Sequence, residues 1–511
     1  MSGWEKSAVT LAVFLPALGA VVIAMVPKEQ DRLIRTLGIL FSGAALVVGI
    51  VMLFGFNYGA QDGLQFELKA SWISTIDANY HVGIDGISLP LFELTLLLSF
   101  LCAVYTYRIL PPPGRPKAFL ALVLLLETGM AGTFIAFDLV LFFIFWELVL
   151  VPMYFLIGIW GSANREYAAI KFFLYTLFGS VFMLLGFLAM FFKSDPHTFD
   201  IIQLAQNAQT APFAKSIQLI IFAGVFLGFA IKVPMWPFHT WLPDAHTEAP
   251  TVGSVLLAGI LLKMGTYGFV RIALPILPQA ARVWAPIIGV LAAIAIVYAS
   301  LACLAQKDLK RLIAFSSVGH MGFVMLGIAT LTDIGINAAI FGMVAHGLIT
   351  GMLFFLVGSI YDRYHTRQIS EIGGGMLQKI PLLSGIFAFT AIASLGLPGL
   401  AGFWGEVFAL LSSYSPAAIL SGHLTLFRTL MVFGGIGTIL TAGYFLWTLQ
   451  RVNLGTLPDA WKEKSLPDVT TIEWISWAPL LVGILALGLF PRLVFGVTND
   501  AVASLASVFG G

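Results

Sequence analysis

Charge is what this chain has least of. Of its 511 residues, 27 are Lys or Arg and 26 are Asp or Glu, while 59% are hydrophobic. A soluble domain carries about a quarter charged residues. So apolar a chain could not coat itself with a polar surface, which excludes a soluble enzyme. Disorder is excluded too, because it needs low hydrophobicity and high charge. The net charge of +1 gives no basic field for nucleic acid or acidic substrates. Cysteine is almost missing: Cys102 and Cys303 both stand in apolar stretches. There is no CxxC for zinc, iron–sulfur or redox work, and two distant thiols make no disulfide framework. There is no GxxxxGK[ST] loop, no GxGxxG after a strand, and no histidine pair at haem-like spacing. The opening MSGWEKSAVTLAVFLPALGA is a poor signal peptide and reads as a first membrane span.

What is abundant is long apolar runs. A spanning helix needs about 20 such residues. Fourteen are read, near 7–26, 34–56, 87–107, 117–136, 138–160, 169–192, 215–238, 248–275, 283–305, 311–331, 334–360, 380–415, 426–449 and 473–495. At about 22 residues each they use roughly 310 residues, leaving short loops and no soluble domain. The expected fold is an all-α polytopic membrane protein, one transmembrane domain over 1–511. With the N-terminus outside, the inner loops carry 17 Lys and Arg against 8 in the outer segments. That bias puts both termini outside. The acidic loop 57–86, with Asp62, Glu67, Asp77 and Asp85 against one Lys, agrees.

The seventh and twelfth runs are unusual. The seventh holds Pro234 and Pro237, and the twelfth holds Pro398 among Gly396, Gly399 and Gly402. Proline removes a backbone donor and clashes with the preceding turn. Both spans should unwind at mid-membrane, where the freed groups need protein or water. Two breaks five spans apart predict two inverted five-helix repeats: spans 4–8 over 117–276 and spans 9–13 over 283–450, flanked by 1–116 and 451–511. Broken helices at matching places point to a transport site.

An ionisable group at the bilayer centre costs about 2.5–3.5 kcal/mol on insertion scales. Seven nevertheless sit mid-span: Glu127, Glu147, Lys232, Lys263, His320, His346 and Glu406. Acids, lysines and histidines are the residue types of proton relays. Each has a plainer reading. Glu147 with Lys232 could be only a structural ion pair. Lys263 is harder to dismiss, since no carboxylate is within reach on its own helix. A single histidine is more often a satisfied core residue, but His320 and His346 stand on successive spans. Glu127 is open between the two. Glu93 and Asp138 lie near span ends and read as packing residues. His239 and His246 sit across two prolines at a spacing that fits loop packing better than a metal. Asp85 reads as a cap for the third span.

The stretches NYHVGIDGISLPLFELTLLL, FWELVLVPMYFLIGIWG, REYAAIKFFLYTLFGSVFMLLG, KVPMWPFHTWLPDAHTEAPTVGSVLLAGILLKMGTYG and DLKRLIAFSSVGHMGF carry a resemblance. They resemble the antiporter-like subunit M family of bacterial NADH-quinone oxidoreductase, similar to subunit 4 of mitochondrial complex I. The resemblance covers essentially the whole chain. Sister chains L and N carry Lys in the twelfth span where Glu406 stands here, and chain L has a long C-terminal extension, whereas the expectation here is only the short segment 491–511 after the last span. The resemblance implies a subunit of a proton-translocating NADH:quinone oxidoreductase in a bacterial inner membrane. It implies that Glu147 pairs with Lys232, that Lys263 is the central relay, that His320 and His346 extend the axis, and that Glu406 ends it. NADH, FMN, iron–sulfur clusters and quinone are implied for other subunits, and chains L and N as neighbours, with lipid around them. The competing readings are an Mrp-type Na⁺(K⁺)/H⁺ antiporter subunit, which uses the same broken helices, and a passive scaffold.

Overall fold

The computed structural model describes residues 3–60 and 63–510. Asp62, one of the acidic loop residues, lies outside the described residues.

Among the described residues, thirteen helices are long and apolar enough to cross a membrane. They are span 1 (Gly3–Met25), span 2 (Asp31–Gly55), span 3 (Ser88–Thr106), span 4 (Pro116–Ile135), span 5 (Leu139–Trp160), span 6 (Arg165–Lys193) and span 7 (Lys215–Lys232). Then follow span 8 (Thr251–Ile276), span 9 (Pro278–Leu304), span 10 (Leu309–Ala329), span 11 (Asp333–Tyr364), span 13 (Ala418–Val452) and span 14 (Thr471–Leu489). Span 12 is two short helices, Pro381–Ser394 and Gly402–Tyr414. All fourteen expected runs therefore appear as helix. Spans 10 and 11 are buried nearly all round, whereas spans 2 and 6 leave much of their apolar surface outward. A helix hydrophobic on every side suits either a core or lipid.

Both expected breaks are present. Span 7 stops at Lys232, just before Val233 and Pro234, and resumes as Trp241–Glu248. Trp241 donates its indole N–H to the Ile231 carbonyl at 2.9 Å, satisfying one group the break frees. Span 12 opens over 395–401, where Gly396 and Gly399 take φ of +81° and +93°. The Ala401 N–H there donates to the Ile484 carbonyl of span 14. The irregular backbone thus rests on protein rather than lipid.

Two further irregularities were not anticipated. Span 5 is interrupted at Val149, between Leu139–Leu148 and Leu150–Trp160. Pro152 explains it: the proline has no N–H for the Leu148 carbonyl and its ring crowds that turn. Span 8 widens into π-helical turns at Leu257–Leu261 and Phe269–Ala273, on either side of Lys263. Such turns occur often at functional sites.

The loops hold more structure than short connections. Strands β1 (Gln65–Ile73) and β2 (Ala78–Ile84) form an antiparallel hairpin. An amphipathic helix covers Ile201–Thr210, and another, Arg492–Ala506, follows span 14. The fold is helical with this one hairpin among the described residues. Asp200 ties the hairpin down, meeting Lys69 Nζ at 2.6 Å and His81 Nδ1 at 2.8 Å. Burial alone would raise the Asp200 carboxyl, but hydrogen bonds from His81 and Lys69 outweigh that and hold it well below the ordinary value. Asp85 caps span 3 as expected, accepting from the N–H groups of Ile87 and Ser88. It also meets Arg271 Nη2 of span 8 at 2.6 Å, a pairing the sequence did not suggest.

Candidate functional site

Spans 8, 10, 11 and 12 bring four of the seven mid-span groups into one line. Lys263, fully buried on span 8, donates to the Ala258 carbonyl inside the widened turn. Its Nζ lies 2.6 Å from His346 Nδ1 on span 11. When Lys263 carries its proton, Nδ1 is the acceptor and the ring N–H is on Nε2. That Nε2 has no hydrogen-bond partner. It belongs to a residue lining a cavity of about 30 Å³, with His320, Thr350, Ser394 and Glu406. A buried water needs roughly 10–15 Å³ of such space and a few polar partners, so the cavity has room for one or two waters. The hydroxyl of Thr350 and one oxygen of Glu406 are also without partners there.

The far wall is a second hydrogen-bonded set. His320 Nδ1 lies 2.9 Å from Glu406 Oε1, and its Nε2 lies 3.0 Å from the Ser394 hydroxyl. The rings of His320 and His346 are 5.6 Å apart, centre to centre. Ser394 ends the first half of span 12 and Glu406 lies near the start of the second. The break is what lets both reach His320. A Cβ on Gly396 would lie 3.2 Å from Glu406 Oε2, so glycine serves both the positive φ and the close approach of the carboxylate. The sequence pointed to His320, His346 and Glu406 but missed Ser394 and Thr350, since hydroxyls in apolar helices usually bond only to their own backbone.

The other three groups stand apart. Lys232 is buried at the C-terminal end of the first half of span 7, where the helix dipole favours a cation. Its Nζ lies 4.9 Å from the centre of the Trp146 ring, a cation–π contact. The expected Glu147–Lys232 ion pair is not closed: the two feel each other electrostatically but are not among the pairs within 4.0 Å. The helix is interrupted at Val149, two residues beyond Glu147, and it is the Trp146 ring that lies against the Lys232 ammonium. Spans 7 and 8 pack closely here, for a Cβ on Gly265 would sit 3.1 Å from Lys232 Cβ. Glu127 is fully buried on span 4, facing Ser42 of span 2 and Cys102 of span 3, away from the Lys–His line.

His239 packs edge-on to Tyr298, and His246 stacks on Phe354 at 4.6 Å. Among the described residues no group of three His, Cys, Asp or Glu could hold a metal. Elsewhere, Arg363 of span 11 makes a buried two-pronged pair with Glu473 of span 14, both bonds at 2.8 Å.

A lysine, two histidines and a carboxylate lined up across four spans, beside the break in span 12 and around a small cavity, mark a polytopic ion-translocating membrane protein. Residues 136–432 match the family model described as "NADH:quinone oxidoreductase/Mrp antiporter, TM". Over 511 residues the chain is 40% identical to NADH-quinone oxidoreductase subunit M of Rickettsia bellii, covering 99% of each chain. A subunit of respiratory complex I from Thermus thermophilus with bound NADH superposes with a TM-score of 0.86 at 28% identity, over 98% of this chain and 100% of that one. A chain of the Mrp complex from Dietzia shares the fold, with a TM-score of 0.83 at 22% identity over 99% of each. The chain belongs to the subunit M family of NADH-quinone oxidoreductases.

Proposed function

We propose that the chain moves protons across a bacterial inner membrane as a membrane-arm subunit of NADH:quinone oxidoreductase. The observation that carries this reading is the line Lys263–His346–cavity–His320–Glu406. Each member can hold or release a proton. Lys263 passes its proton to His346 Nδ1, and the ring releases the other from Nε2 to water in the cavity. His320, backed by Glu406 and Ser394, receives it on the far side. Lys232 controls Lys263. When Glu147 draws close, Lys232 is held charged; when they separate, its proton is pushed toward span 8. Moving one charge across 100 mV costs about 2.3 kcal/mol, so changes of a few kcal/mol in such pairings suffice to gate the step. The drive comes from electron transfer elsewhere: NADH, FMN, the iron–sulfur clusters and quinone belong to other subunits.

In this reading 117–276 and 283–450 are inverted repeats, each contributing one broken helix, and both chain termini are periplasmic. Sister chains L and N flank the subunit and lipid covers the rest. The test is proton translocation per electron by the complex in sealed vesicles, driven by NADH and quinone. Lys263→Met should lower the ratio with assembly intact, and an unchanged ratio would overturn the assignment. An Mrp-type antiporter role instead requires activity that follows a Na⁺ or K⁺ gradient without NADH.

A further inference from the structure

Buried polar atoms in proteins almost always have partners, and those without one mark bound water or function. Spans 2, 3 and 4 hold an unusual concentration of such atoms. Both carboxyl oxygens of Glu127, the hydroxyls of Ser42 and Ser99, and Oε1 of Glu93 have no hydrogen-bond partner. Glu127, Ser42 and Ser99 are fully buried. The Ser42 hydroxyl is the polar group facing the Glu127 carboxyl, but the two stand outside hydrogen-bonding geometry. Cys102, one turn from Ser99 on span 3, borders the same carboxyl. Toward the hairpin face, the Glu93 carboxylate lies over Gly49 of span 2, where a Cβ would come within 2.8 Å of Oε2. Ser42 and Gly49 are two turns apart on one helix, so the two carboxyls are separated by about 10 Å along the membrane normal. Glu93 then lines a recess of about 480 Å³ together with Tyr58, Leu53 and Arg492.

This track is walled off from the Lys–His line. Leu94 and Leu98 of span 3 pack against Gly347 of span 11 and Gly259 of span 8, which puts leucine side chains between the track and that line. An ionised carboxylate without partners is not tolerated in such a place. Glu127 must therefore hold a proton, and its O–H and carbonyl oxygen still require water.

We propose that spans 2–4 enclose a second proton-binding site, in which Glu127 is a protonated acid connected by water past Ser42 and Ser99 to Glu93. Glu93 exchanges protons with the recess on the hairpin face. In the step, Glu93 first gives its own proton to water in the recess; the Glu127 O–H bond then breaks as a neighbouring water becomes hydronium, the hydronium gives its proton to the vacated Glu93 carboxylate, and the reverse transfer refills Glu127. The site is a side reservoir and does not depend on the Lys263 line being the pumping path.

The test is infrared spectroscopy of the assembled complex. Glu127→Gln should remove one carbonyl band of a protonated carboxylic acid. In wild type that band should shift within minutes of transfer to D₂O. Glu93→Gln, and separately the Ser42→Ala/Ser99→Ala pair, should slow the shift tenfold or more. If Glu127→Gln does not assemble, Glu127→Asp identifies the same band by displacing it. The proposal is overturned if no such band is lost or displaced, if the band resists exchange for hours, or if Glu93→Gln leaves the exchange rate unchanged. None of these readings measures pumping, so failure here leaves the Lys263 assignment standing.

Discussion

Lys263 Nζ sits 2.6 Å from Nδ1 of His346, with both side chains buried between spans 8 and 11. A cation against a neutral imidazole is a proton held between two bases, whereas a structural lysine would face a carboxylate. The difference can be tested with charge kept constant. Arginine cannot release its proton. Lys263→Arg should therefore abolish pumping as completely as Lys263→Met, measured as protons per electron in vesicles. If Arg restored a substantial part of the activity, positive charge rather than proton exchange would be the requirement.

The proposed path crosses the cavity between the histidines by water, and that space can be filled. A methyl on Gly342, which lines the cavity, would start 3.2 Å from Val324 Cγ2. That side chain can give by a few tenths of an ångström. Gly342→Ala should leave the complex assembled while cutting proton translocation about tenfold, equivalent to about 1.4 kcal/mol at the transition state. Paired measurements of quinone reduction and proton uptake read this out.

Depth along a helix was legible in the sequence, and direction around it was not. Proline and glycine at 234, 237, 396 and 398 announced the two breaks, because their backbone effects are local. Lys263, His320, His346 and Glu406 stood out because charge in an apolar run has few explanations. The spans are apolar on every face, so no amphipathic stripe told Glu127 to turn toward Ser42 or Glu147 to remain short of Lys232. The hairpin was hidden for another reason: alternation over nine and seven residues is faint beside runs of twenty. Pro152 was as readable as Pro234, and the bend it makes beside Glu147 could have been foreseen.

That bend bears on how Glu147 fails when altered. Breaking a closed, buried ion pair costs about 3–5 kcal/mol because one charge is stranded. Lys232 already has the Trp146 ring at 4.9 Å and the end of its helix. Glu147→Gln should therefore assemble at wild-type levels on native gels while losing most proton translocation. Trp146→Ala, which strips the ring from Lys232 and the bond from Ser180, should be the less stable of the two.

Arg363 and Glu473 give the opposite expectation. Their two-pronged pair is buried and closed, and Arg363 also reaches the carbonyls of Ser359, Pro467 and Asp468. Glu473→Gln should cost about 3–5 kcal/mol and reduce the amount of assembled complex. Any complex that does assemble should keep its normal ratio of protons to electrons. A lowered ratio in that fraction would mean that the clamp takes part in translocation.

Asp200 provides a pH test away from the membrane. Its carboxyl is held well below its ordinary value in the fold, despite burial, by His81 and Lys69. A depressed acid stabilises the folded arrangement above its unfolded value, near 3.9, and that contribution is lost as pH falls toward the folded value. The hairpin should accordingly stay docked from pH 8 to 5 and loosen only below about pH 4. A spin label on the exposed Ser71 reports docking as restricted motion. Asp200→Asn removes the charge at every pH, so its label should be mobile already at pH 7. Equal mobility in the two proteins at pH 7 would show that backbone contacts, such as the Phe137 N–H to His81 carbonyl bond, hold the hairpin without the carboxylate.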